Sequence, residues 1–231
     1  MLFRTILLLV TLTFVCSAAT IFNLNIFAQN EKKITGTLLH KEIPGGGFVR
    51  NLKFYDENHN LVGETLEEFD KFSNPINIKK TSNLCPSQNQ TVYFHDGNAK
   101  IHIGNNNLNV SVPNNVTFGT GFFDRSRSAI EPTLRGDEVK IVVLVPEKED
   151  WFTLIPTKVE NISYNGSRAI MLTIAPKSFI IRMFAKEIIF IFDTSKEHKP
   201  LEFIGILPFY NSSCEPMVGK IYFNEEKASN N

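Results

Sequence analysis

This chain is short of the residues on which chemistry and recognition are most often built. Of its 231 residues three are cysteine, five histidine and one tryptophan, and its 24 basic and 24 acidic residues cancel. Balanced charge gives no electrostatic case for nucleic acid or an anionic membrane, both of which call for a basic field. Neither Cys85 nor Cys214 has another cysteine nearby, so no zinc-binding spacing exists and no metal site is expected. His95 and His102 can share one hairpin face, but no third ligand accompanies them. There is no Gly-x-Ser-x-Gly turn and no cysteine with a credible histidine partner, so nucleophilic hydrolysis has no motif behind it. Gly45-Gly46-Gly47 lacks the Lys-Ser/Thr and the following helix of a phosphate loop and reads as a flexible turn. The acidic stretches Glu67-Glu68 and Glu147 to Asp150 sit in charged, turn-like settings and read as solvated loops. No catalytic residue and no cofactor emerge; the chain reads as non-enzymatic, with an enzyme built on those exposed carboxylates as the reserve reading.

The N-terminus, "MLFRTILLLVTLTFVCSAAT", is more informative. One positive charge at Arg4, an apolar run and the small residues Ser17, Ala18 and Ala19 follow the order of an export signal. Cleavage after Ala18 or Ala19 fits this pattern, and cleavage after Ala28 is a further option, giving a leader within residues 1–28 and one domain over 29–231. Two alternatives stand beside it: an uncleaved anchor, because apolar character continues to Phe27, and lipid attachment at Cys16, where Val15 is bulky for such a site. In an exported chain the remaining pair, Cys85 and Cys214, reads as a disulfide worth about 4–5 kcal/mol by chain entropy, with two separate thiols as the alternative. Six Asn-x-Ser/Thr sequons begin at Asn89, Asn109, Asn115, Asn161, Asn165 and Asn211 in a chain of 23 Asn. So Asn-rich a chain produces several by chance, which leaves a bacterial or eukaryotic origin open.

The periodicity is that of strands. "TVYFHDGNAKIHIG" reads as a hairpin turning at Gly97-Asn98, with Phe94 opposite Ile101, Val92 opposite Ile103, and a wet face of Tyr93, His95, Lys100 and His102. "FVRNLKFYDENHNLVGETLEEF" gives a second hairpin through Asp56 to Asn60, followed by a polar connection, "SNPINIKKTSNLCPSQNQ". "EVKIVVLVP" is apolar on both faces and reads as a central strand. A third hairpin turns at Asn165-Gly166, and "KEIIFIFD", "PLEFIGILPF" and "MVGKIYFN" continue the meander. Residues 122–134 read as the one helix, weakened by Pro132 in its last turn, and "PKSFIIRMFAKE" allows another short turn. The fold class is therefore all-β and mainly antiparallel: a single barrel or half-barrel meander with one short helix near 122–134. Twenty Phe require either a dry core or an apolar ligand cavity. The leading functional expectation is an exported protein that holds an apolar, lipid-like ligand. The alternative is a secreted or surface protein that binds a protein partner.

The segments "GTGFFDRSRSAIEPTLRGDEVKIVVLVP", "FAKEIIFIFDTSKEHKPLEFIGILPFYN" and "GKIYFN" resemble a family of uncharacterised exported bacterial proteins. Gly121, Phe122, Asp124, Leu134, Gly136, Val145, Pro146, Leu201, Phe203 and Gly205 occupy the places of its pattern, while Asp137 and Phe203 depart from Glu and Tyr. The resemblance spans most of residues 34 to 224 and is similar in architecture to lipoprotein-carrier-like half-barrels, with no catalytic residues implied. It makes Gly121 and Gly136 structural hinges at the ends of the helix. Arg135-Gly136-Asp137 is then a turn between helix and strand, where glycine is favoured, and not an adhesion signal.

Overall fold

The computed structural model describes residues 19–28, 33–178 and 187–225. The strands are β1 (Ala19–Ala28), β2 (Lys33–Glu42), β3 (Phe48–Tyr55), β4 (Leu61–Phe69), β5 (Pro75–Ser82), β6 (Gln90–His95), β7 (Asn98–Ile103), β8 (Asn106–Ser111) and β9 (Val116–Thr117). After α1 (Gly121–Leu134) come β10 (Ile141–Val145), β11 (Asp150–Tyr164), β12 (Ser167–Pro176), β13 (Ile188–Asp193), β14 (Pro200–Tyr210) and β15 (Pro216–Glu225). All belong to one sheet, in the order β8-β7-β6-β5-β4-β3-β2-β1-β15-β14-β13-β12-β11-β10-β9, antiparallel except for the short β9–β10 pair. The all-β antiparallel meander with a helix at 122–134 is thus what the chain forms, as a rolled sheet not closed into a hydrogen-bonded barrel.

Alternation explains the roll. Leu172, Phe190, Phe203, Ile221 and Ile26 are register neighbours on five successive strands, and all point to one face. Wrapping that face inward around α1 removes it from water, along with Phe122, Ala129 and Ile130 of the helix. The two ends of the sheet then overlap. Ile141 of β10 faces the helix core, while Val142 and Leu144 on its opposite face pack on Val92 of β6 and Ala99 and Ile101 of β7.

Three expectations need correction. β10 is not central: it lies next to the end of the sheet, and both its faces are buried because the roll overlaps itself. The "SNPINIKKTSNLCPSQNQ" connection contains β5, which two apolar residues alone do not signal; its pairing with both β4 and β6 holds it. The β6–β7 hairpin turns at Asp96-Gly97, both at positive φ (47° and 72°), because this turn needs two left-handed residues. Phe94 therefore meets Ala99 and Val92 meets Ile101; the two-residue shift keeps each side chain on its face, and Tyr93, His95, Lys100 and His102 are exposed as expected. Residues 19–28, the region of the proposed cleavage sites, are part of the sheet. They form β1, paired with β15 and β2, with Leu24, Ile26 and Ala28 buried. Cys16 and most of "PKSFIIRMFAKE" lie outside the described residues.

Candidate functional site

The concave face carries two kinds of surface, aromatic and polar, and α1 touches both. Phe123 of α1 lies 5.3 to 5.7 Å from the rings of Phe190, Phe203 and Phe223. Phe122 meets Phe190 edge-on, and Phe190 stacks on Phe192. The Phe excess thus serves mainly as core. Phe123 nevertheless stays half-buried, as do Phe22, Val159 and Ile188 around the same core. Two surface depressions, of about 500 Å³ at the β11–β12 turn and about 300 Å³ at the β6–β7 turn, lie outside this aromatic group.

The polar part was not legible beforehand. His40, Arg50 and Glu67 are register neighbours on β2, β3 and β4, all facing inward. Arg50 grips Asp124 of α1 through two hydrogen bonds (2.7 and 3.0 Å), donates to the Thr120 carbonyl and hydroxyl, and donates through Nε to His40 Nδ1 at 3.2 Å. Its guanidinium lies 4.7 Å from the Phe48 ring centre. Arg127 adds a second contact to Asp124 at 3.2 Å. Glu67, only 2% exposed, accepts from the backbone N–H and the hydroxyl of Thr120. Burial pushes its carboxyl up to about 7, against the pull of Thr120 and Arg50. Burial, with Arg50, holds His40 below its ordinary value. Asp124 also sits in the first turn of α1, where the helix dipole favours an anion. The group fixes the helix N-terminus against β3 and β4.

One register row away, Thr65, Lys80 and Gln90 follow one another on β4, β5 and β6. The Lys80 ammonium lies 4.3 Å from the Tyr210 ring centre, and burial lowers its pKa while Glu147 and Glu67 oppose the shift. Glu147 accepts from Gln90 Nε2 at 3.1 Å and from the Tyr210 hydroxyl. Burial would raise the Glu147 carboxyl, but these donors and Lys80 outweigh it and the net direction is down. Glu67 is therefore a buried, hydrogen-bonded member of this interior and not a solvated loop charge, whereas Glu147 stays exposed in its turn while bonding to Gln90 and Tyr210. The signal that could have found Arg50 and Glu67 is a charge at an inward position of an alternating strand: Arg50 between Phe48 and Leu52, Glu67 between Thr65 and Phe69.

The cysteines and glycines singled out from the sequence have structural places. Cys85 and Cys214 form a disulfide joining the β5–β6 and β14–β15 connections, 129 residues apart. Gly121 opens α1, where a Cβ would come within 2.7 Å of Phe69 and of Thr117. Gly136 (φ 85°) ends α1: its N–H bonds to Thr133 O and that of Asp137 to Pro132 O, the paired bonds of a helix stop with a left-handed residue. Arg135 and Asp137 are exposed and bridge each other at 3.0 Å. Gly45 and Gly46, both at positive φ, lie in the β2–β3 turn. Among the described residues no three His, Cys, Asp or Glu side chains converge on a metal position, and no helix is long and apolar enough to cross a membrane.

No protein family and no curated protein matches the chain. Among solved structures it is similar to a β-barrel-like protein of the domain of unknown function DUF1849 from Brucella abortus, at 11% identity and a TM-score of 0.47, over 91% of this chain and 98% of that one. It is also similar to a protein from Bacteroides fragilis described as exported and of YmcC-like fold, at 7% identity and a TM-score of 0.31, over 90% of this chain and 95% of that one.

Proposed function

We propose that this is an exported, non-enzymatic binding protein whose rolled sheet receives the apolar part of a lipid-like ligand beside α1. The observation that carries the reading is Phe123: it meets three rings of the aromatic group yet keeps contact with water, together with Phe22, Val159 and Ile188 on the same concave face. An apolar chain laid on such side chains gains about 25 cal/mol per Å² of area removed from water. Export is supported by the leader-like N-terminus and by the Cys85–Cys214 disulfide, which persists in oxidising compartments. Native mass spectrometry of the protein from its own host, with a fluorescent fatty-acid probe titrated onto the purified protein, tests the reading. A co-purifying lipid, and probe binding weakened by Phe123→Ala but not by the outer-face Ile206→Ala, are expected. A lipid-free protein indifferent to the probe overturns it.

A second reading, a protein partner on the convex face, has its own support. Ile21 and Leu39 are opposed across β1 and β2, each 38% exposed, and Leu66, 45% exposed, continues that row beyond Asn51. A stable complex with no bound lipid would favour it.

A further inference from the structure

The two edges of the sheet are unlike. One, β9, is two residues long and buried, while the other, β8, is six residues long with alternate side chains exposed. Exposed edges are ordinarily blunted by charge, proline or a bulge. β8, "NNLNVS", has no charge and no proline, and its pairing with β7 runs without a register shift.

The ladder fixes which main-chain groups of β8 have no strand partner among the described residues. Val112 N–H bonds to Gly97 O at 2.8 Å, making 97 and 112 a hydrogen-bonded pair. Alternation along an antiparallel ladder then turns the N–H and C=O of Asn106, Leu108 and Val110 toward β7, and those of Asn107, Asn109 and Ser111 outward. The outward set lies in a pattern symmetric about Asn109: polar Asn107, apolar Leu108, Asn109, apolar Val110, polar Ser111.

We infer that β8 is a self-association edge whose occupant is β8 of a second copy of this chain, antiparallel and centred on Asn109. In that register Asn109 pairs with its counterpart and Asn107 with Ser111 of the other copy, forming about six main-chain hydrogen bonds. Leu108 then falls opposite Val110 of the other copy, twice, on the face where both already pack on the Val92, Ala99 and Ile101 core. No like charges meet across the junction, and the chain carries no net charge to drive copies apart. The arrangement is a self-complementary two-fold contact, which closes at two copies. It is independent of the ligand reading.

Sedimentation equilibrium of the purified protein tests this. The wild type should show a monomer–dimer equilibrium. Asn109→Lys places two like charges face to face and should lower the association constant by roughly tenfold or more. Asn109→Asp should do the same, and mixing the two variants should restore association through an opposite-charge pair. Asn109→Pro removes an outward N–H while leaving the bonds to β7, so it should abolish the dimer without unfolding the chain, as far-ultraviolet circular dichroism would verify. A wild type that stays monomeric into the millimolar range, or a dimer indifferent to all three variants, overturns the inference.

Discussion

Replacing Glu67 by Gln should change how stability depends on pH. In the folded chain burial lifts the Glu67 carboxyl to about 7 from an ordinary 4.5. Between those values the native state holds a proton that the unfolded state has released. Stability from this group is therefore fully present below about pH 4.5 and is lost as pH rises through 7. At 1.36 kcal/mol per pKa unit, the 4.5-to-7 gap amounts to about 3 kcal/mol. Gln keeps the shape and can still accept from the Thr120 N–H, but it does not titrate. Urea unfolding at a series of pH values from 4.5 to 8 should show the wild type losing about 3 kcal/mol more than Glu67→Gln over that range. His40, held low by burial, protonates in acid and acts in the opposite direction. It is common to both proteins and cancels in the difference. A difference curve that is flat with pH would refute the placement of Glu67 beneath the helix.

Other perturbations separate the remaining parts of the structure. Arg50→Ala strands Asp124 in the interior with Arg127 as its remaining ion-pair partner and should cost roughly 3–5 kcal/mol in urea unfolding, whereas Arg135→Ala, at an exposed pair, should stay within about 0.5 kcal/mol. Gly136→Ala should cost about 1 kcal/mol through its positive φ alone, since an added methyl there meets nothing within 4 Å; Gly121→Ala, which drives a methyl into Phe69 and Thr117, should cost more. Reducing the Cys85–Cys214 bridge should lower stability by about 2–5 kcal/mol, and equal denaturation midpoints with and without reductant would count against it. N-terminal sequencing of the mature protein should find Ala19 or Thr20 first, with β1 retained. A start at Gln29 would contradict the place of β1 in the sheet.

What the sequence made legible is whatever repeats locally. Period-two alternation marked most strands, Asn165-Gly166 marked a turn whose residues must both be left-handed, and the apolar spacing from Phe122 to Ile130 marked the helix. What it hid depends on residues far apart in the chain. Arg50 and Asp124 are 74 positions apart and meet only because the sheet rolls around the helix. Taken singly, Glu67 beside Glu68 looks like a solvated pair, although alternation sends one inward and the other outward. The burial of β10 on both faces suggested flanking strands, but it comes from the opposite end of the sheet lying over it, and no local pattern encodes that.

A closed barrel has a circumference dictated by its strand number and stagger, because every strand is hydrogen-bonded on both sides. Here the ends meet through side chains, Val142 and Leu144 against Val92 and Ile101, and side-chain contacts permit sliding where a ladder does not. Two fasteners set the bore of the rolled sheet, one at each rim. At one rim the fastener is covalent, the Cys85–Cys214 bond tying β5 and β6 to β14 and β15 across the intervening strands. At the other it is electrostatic, Arg50 holding Asp124. Loosening the second leaves the first in place, so the bore would widen at the helix rim while the disulfide rim kept its gauge.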